Sequence, residues 1–127
     1  MNARERDPAL LERMLEYCSQ IDEAVTLFGR AFDRFSGNSV YQNAVCLCLL
    51  QIGELSGRLS DEFRAAHPEI PWRAVKSFRN IVAHKYASID EEVVWEIVEN
   101  DIPALRAFCR TALSTAEPGP VTAEEDR

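Results

Sequence analysis

Apolar residues along this chain recur at three- and four-residue steps over most of its length, the period of helices that bury one face. Leu11, Met14, Cys18, Ile21, Val25 and Phe28 form the first stripe, preceded by Asp7-Pro8, an N-cap followed by proline at the first helical position. This predicts a helix over residues 8–30. The turn formers of Asp33 to Asn38 predict a loop. A second stripe, Tyr41, Val45, Cys48, Ile52, Leu55 and Leu59, follows Ser39 and Gln42, which have capping-box spacing, and predicts a helix from Ser39 to about Ala66.

His67-Pro68-Glu69-Ile70-Pro71 ends that helix, because proline disfavours helical geometry in the residue before it. A third helix then starts near Pro71 and carries Trp72, Val75, Phe78, Val82 and Tyr86. Asp90 is placed to cap a fourth, with Val93, Val94, Ile97 and Val98 towards the core and Trp95 flanking them. Pro103 lacks an N–H, so a kink or new start is expected near residues 100–102, before a last helix ending around Leu113. The fold expected is an all-α, antiparallel up-and-down bundle of four to five helices, one domain over residues 1–114, followed by a disordered acidic tail over 115–127.

Composition adds limits to this picture. No run approaches the roughly 18 apolar residues of a membrane span, and the start lacks the apolar core of a secretory signal, so a cytoplasmic protein without membrane contact is expected. Cys18, Cys46, Cys48 and Cys109 form no C-x-x-C pair, and Cys46 and Cys48 point about 200° apart on a helix. They are expected to be reduced packing residues, with neither a metal nor another cofactor implied. The net charge of −7 argues against a general nucleic-acid coat. Between Glu69 and Asp90, however, there is no acidic residue, while Arg73, Lys76, Arg79 and Lys85 supply four positive charges, the pattern of a local anion site.

The chemistry concentrates in Arg79, Asn80, His84 and Tyr86. On a helix Asn80 and His84 are neighbours, Arg79 and Tyr86 are nearly aligned, and Arg79 and His84 differ by about 140°, so both can flank one groove. A guanidinium clamps phosphate and an imidazole moves a proton near neutral pH, which suffices to cleave RNA without a metal. Such cleavage needs an acid and a base, and two copies of the chain meeting at a symmetric dimer would supply both from His84. The competing interpretation is a surface cation and a histidine capping the helix C-terminus. His67, beside Pro68, is expected to be structural, and Trp72 to pack.

Arg79-Asn80-x-x-x-His84-x-Tyr86 resembles the Arg-x(4)-His-x-Tyr signature of HepT-like HEPN-domain toxins. The flanking runs NAVCLCLLQIGELSGRLSDEFR, HPEIPWRAVKSFRNIVAHKY and IDEEVVWEIVENDIPAL resemble family segments as well, over about residues 8–113. The resemblance implies a homodimeric HEPN bundle acting as a metal-independent endoribonuclease toxin on RNA, with no role for DNA. Arg79 and His84 carry over as catalytic, Asn80 as supporting, and Tyr86 as the tyrosine that a minimal nucleotidyltransferase (MntA-like) antitoxin modifies with AMP. Arg73, Lys76 and Lys85 are then candidate RNA contacts. The alternative is a non-catalytic subunit that binds a nucleotidyltransferase or its nucleotide.

Overall fold

A computed structural model of the chain describes residues 3–83 and 89–116. Among them the regular elements are all helical: α1 (Ala3–Phe28), α2 (Phe32–Phe35), α3 (Ser39–Arg58), α4 (Asp61–Ala66), α5 (Trp72–Ala83), α6 (Glu91–Glu96) and α7 (Ile102–Ala116). A π-helical turn, Ile97–Asp101, joins the last two. α3 packs along both α1 and α5, and α1 packs along both α3 and α7. The expected stripes supply one continuous core, in which Met14, Cys18, Tyr41, Ile52, Phe78, Val94 and Cys109 are all buried. No helix among the described residues is long and apolar enough to cross a membrane.

Several boundaries differ from expectation, each for a physical reason. α1 begins at Ala3, so Asp7 is not its N-cap and Pro8 lies inside it. Asp7 is buried and serves a distant segment: its carboxylate accepts hydrogen bonds from the Ser60 backbone N–H at 2.9 Å and from Ser60 Oγ at 2.6 Å. Gly29 ends α1 at φ +114°, left-handed geometry suited to glycine, and donates its N–H to the Val25 carbonyl. The segment expected to be wholly loop contains the short α2. Asn38 caps α3 in place of Ser39, its side chain accepting from the Tyr41 N–H. Gln42 turns away from a capping box and donates instead to the Phe35 carbonyl and Glu91.

The long helix expected to reach Ala66 is two helices. The backbone turns extended at Leu59 and Ser60, and Ser60 Oγ accepts from the Phe63 N–H to start α4. The expected Asp90 cap is present, its carboxylate accepting from the Val93 N–H. Val93 itself is exposed, and Trp95 takes the inward position, packing against Phe35 and Tyr41. Pro103 has the expected effect in the form of the π turn: it gives the Glu99 carbonyl no donor, and the Ile102 N–H bonds back to Ile97 instead. α7 runs to Ala116, beyond the expected end near Leu113. Residues 117–127, the rest of the expected tail, lie outside the described residues.

All four cysteines are buried free thiols, as expected of packing residues. Burial pushes Cys18 and Cys109 up to about 12 and Cys46 and Cys48 up to about 11. Thiols held so far above neutral pH carry almost no nucleophilic thiolate.

Candidate functional site

The site is built on α5, whose start is fixed from three directions. Trp72 Nε1 donates to the His67 carbonyl at 2.9 Å, and its ring packs edge-on against Phe63 of α4 and Phe108 of α7. The His67 ring also lies against Phe63 and Phe108, which gives it the structural role expected of it. From this anchor Val75, Phe78 and Val82 face the core, and Arg73, Lys76, Arg79 and Asn80 are exposed.

α5 comes unusually close to α3. A Cβ added at Gly53 would lie 2.8 Å from the Arg79 backbone nitrogen and 3.1 Å from both the Arg79 Cβ and the Lys76 carbonyl. A Cβ at Gly57 would touch the aliphatic stem of Lys76 at 3.4 Å. Two glycines inside a helix cost about 1 kcal/mol each in propensity. In return, the α5 backbone seats directly against α3 at the position that carries Arg79.

Seated there, Arg79 donates through Nε to the carboxylate of Glu54, one residue after Gly53. Both side chains are half exposed, at 50% and 48%, so water screens the pair and its stabilisation is small. Its effect is orientation. Glu54 engages the Nε–H, and the Nη groups make no hydrogen bond to another described residue, leaving that edge of the fork for a ligand. With Arg73 and Lys76 on the same helix, this is a positive face on a chain of 21 acidic and 14 basic residues. Such a face suits a phosphodiester, which a guanidinium binds in a planar, bidentate manner.

Arg73, Lys76, Arg79 and Asn80 are therefore all exposed on α5. His84, Lys85 and Tyr86 lie outside the described residues. No cluster of three His, Cys, Asp or Glu side chains arranged to hold a metal ion occurs among the described residues. Two participants escaped the sequence reading, Glu54 and Gly53. The available signal was Gly53-Glu54-Leu55-Ser56-Gly57, glycines four apart within an apolar helical stripe, which mark a close backbone approach.

Comparison with known proteins adds to this geometry. The sequence profile described as ribonuclease HepT-like matches residues 14–112. The chain is similar to the probable ribonuclease HepT of Thermococcus cleftensis, 38% identical over 96 residues, covering 72% of this chain and 87% of the relative. It is 36% identical over 75 residues to a candidate RNase of Methanocaldococcus jannaschii, covering 59% of this chain and 69% of that protein. A candidate RNase of Caldanaerobacter subterraneus subsp. tengcongensis is 32% identical over 95 residues, covering 75% of this chain and 83% of its own. No solved structure matches the chain.

Proposed function

The chain belongs to the ribonuclease HepT-like family, and from that premise we propose that it is a ribonuclease cutting RNA at the α5 site, as the toxin of a toxin–antitoxin pair. The observation that carries this reading is the seating of Arg79: held by Glu54 over Gly53, it offers a half-exposed guanidinium on a basic face of an acidic protein.

The chemistry requires few parts. One His84 imidazole takes the proton from a ribose 2′-hydroxyl, and the 2′-oxygen attacks the adjacent phosphorus. Arg79 stabilises charge on the phosphoryl oxygens as the bond to the 5′-oxygen breaks. A second imidazole, His84 of the partner subunit in a homodimer, protonates that leaving oxygen. The products are a 2′,3′-cyclic phosphate and a free 5′-hydroxyl, and no step calls on a metal ion. Asn80 supports the imidazole or a phosphate oxygen, and Arg73, Lys76 and Lys85 hold flanking phosphates. Modification of Tyr86 with AMP by an MntA-like nucleotidyltransferase antitoxin would silence the enzyme, placing bulk and negative charge two residues from His84.

The test is incubation of the unmodified protein and its His84→Ala variant with total RNA in EDTA, followed by analysis of fragment ends. Cleavage by the parent alone, leaving cyclic phosphates, supports the nuclease. If neither protein cleaves and mass spectrometry shows Tyr86 unmodified, the chain is instead the non-catalytic, nucleotidyltransferase-binding subunit.

A further inference from the structure

A second basic site lies away from α5. Between α1, the π turn and the first half of α7 there is a pocket of about 270 Å³, and no residue of α5 lines it. Three arginines contribute to its wall: Arg30 just after α1, and Arg106 and Arg110 on α7. The last two are four apart on one helix and so share a face. Ile21, Val25, Val98 and Ile102, all buried in the core, give the pocket an apolar floor. Val98 belongs to the π turn and Ile102 follows it directly, so the wide turn that Pro103 imposes shapes one side.

Two carboxylates offset part of this charge. Asp22 bridges two of the arginines, its Oδ2 in an ion pair with Arg106 Nη1 at 3.0 Å and its Oδ1 accepting from Arg30 Nη2 at 3.4 Å. Glu99 accepts from Arg30 Nη1 at 3.1 Å. Arg110 forms no ion pair with a described residue and is exposed at the rim. The balance of three guanidiniums against two carboxylates is positive, in a protein whose overall charge is −7. Asp22 ties Arg30 to Arg106, so an anion entering between Arg106 and Arg110 meets one guanidinium already held in place. That preorganisation lowers the entropic cost of binding.

We propose that this pocket binds a phosphoryl group through Arg106 and Arg110, with Arg30 adding charge from the opposite wall. The group comes either from a free phosphorylated small molecule or from an RNA strand that extends beyond the α5 site. Binding here does not depend on whether the α5 site cleaves RNA, because the pocket and α5 share no residue.

The experiment is calorimetric titration of the full chain with inorganic pyrophosphate, alone and in the presence of a 2′-O-methyl oligonucleotide, which has no 2′-hydroxyl to attack. Arg110→Gln, at an exposed position that leaves the fold alone, is expected to weaken pyrophosphate binding about tenfold, the loss of one charge-assisted contact. Arg106→Gln should weaken it as much. The loss caused by Arg110→Gln should persist when Arg79→Gln is also present, which separates this pocket from the α5 site. Competition between oligonucleotide and pyrophosphate that is lost in Arg110→Gln identifies the strand as the source of the phosphate; binding of pyrophosphate without competition identifies a small molecule. No binding, or binding that Arg110→Gln leaves intact, overturns the proposal.

Discussion

The two long neighbours of α3 meet it in different ways. α1 packs along α3 and brings bulky side chains to the shared core, among them the buried Met14, Cys18 and Ile21. Towards α5, α3 presents Gly53, against which the α5 backbone lies, and Gly57, against which the Lys76 side chain lies. A thick apolar seam stabilises the bundle yet tolerates small adjustments, because side chains can repack. A seam with a backbone atom in contact has no such slack. Arg79 stands on the second kind, so the candidate phosphate clamp sits where α5 has little room to shift towards α3.

The sharpest way to break this contrast is to mutate both seams. Gly53→Ala places a methyl 2.8 Å from the Arg79 nitrogen, and α5 has to move to admit it. The better helix propensity of alanine recovers only about 1 kcal/mol, against an overpacking cost of about 1–3 kcal/mol. Displacing Arg79 by about 1 Å is expected to lower RNA cleavage per folded molecule up to about a hundredfold. Met14→Ala should cost more stability, about 2–5 kcal/mol, while folded molecules cleave at the parental rate. Urea unfolding and cleavage rates, measured where both variants are folded, decide the matter. Equal specific activity in the two variants would mean that the glycine seam is ordinary packing.

A smaller effect is expected from Glu54→Gln. The amide oxygen can still accept from Arg79 Nε, but the bond is no longer charge-assisted, and a negative charge beside the phosphate site is gone. Because the pair is half exposed, stability should change by no more than about 1 kcal/mol. The kcat for RNA cleavage should fall about threefold to tenfold from poorer orientation, the equivalent of about 1 kcal/mol, while KM should not rise. A raised KM with unchanged kcat would show Glu54 acting on RNA binding and not on the placing of Arg79.

The difference between the seams also explains how much the sequence disclosed. The apolar stripes, the start of α5 near Pro71 and the Asp90 cap depend on neighbouring residues, so local pattern revealed them. The break at Leu59 and Ser60 stayed hidden because Leu59 continues the apolar period of α3. What starts α4 there is Ser60, whose Oγ both caps the helix and donates to Asp7, more than fifty residues away. Likewise Glu54 reads as a solvent-facing acid until α3 and α5 are packed together. Val93 and Trp95 exchanged expected positions because Phe35 and Tyr41 supply an aromatic pocket that fits a ring.

The smallest effect should come from a third region, near the start of α3. Gln42 there is eleven residues from Gly53, or about 16 Å along the helix. Glu91 ties this end together, its carboxylate accepting from Ser36 Oγ at 2.7 Å, the Gly37 N–H at 3.1 Å and Gln42 Nε2 at 2.6 Å. The Ser36 hydroxyl most of all, then Gly37 and Gln42, hold this carboxyl below the usual range. A group with a lowered folded value stabilises the fold fully above its unfolded value, near 4.3, and loses that contribution as pH falls through the folded value. Thermal unfolding between about pH 6 and 3 should therefore show the parent losing stability more steeply than Glu91→Gln, which cannot titrate at this position. RNA cleavage by Glu91→Gln at neutral pH should match the parent, because the ends of α2, α3 and α6 can loosen without moving the glycine contact under Arg79. A cleavage defect in Glu91→Gln would instead mean that the bundle transmits strain along the whole of α3, and that the tight seam does not isolate the site.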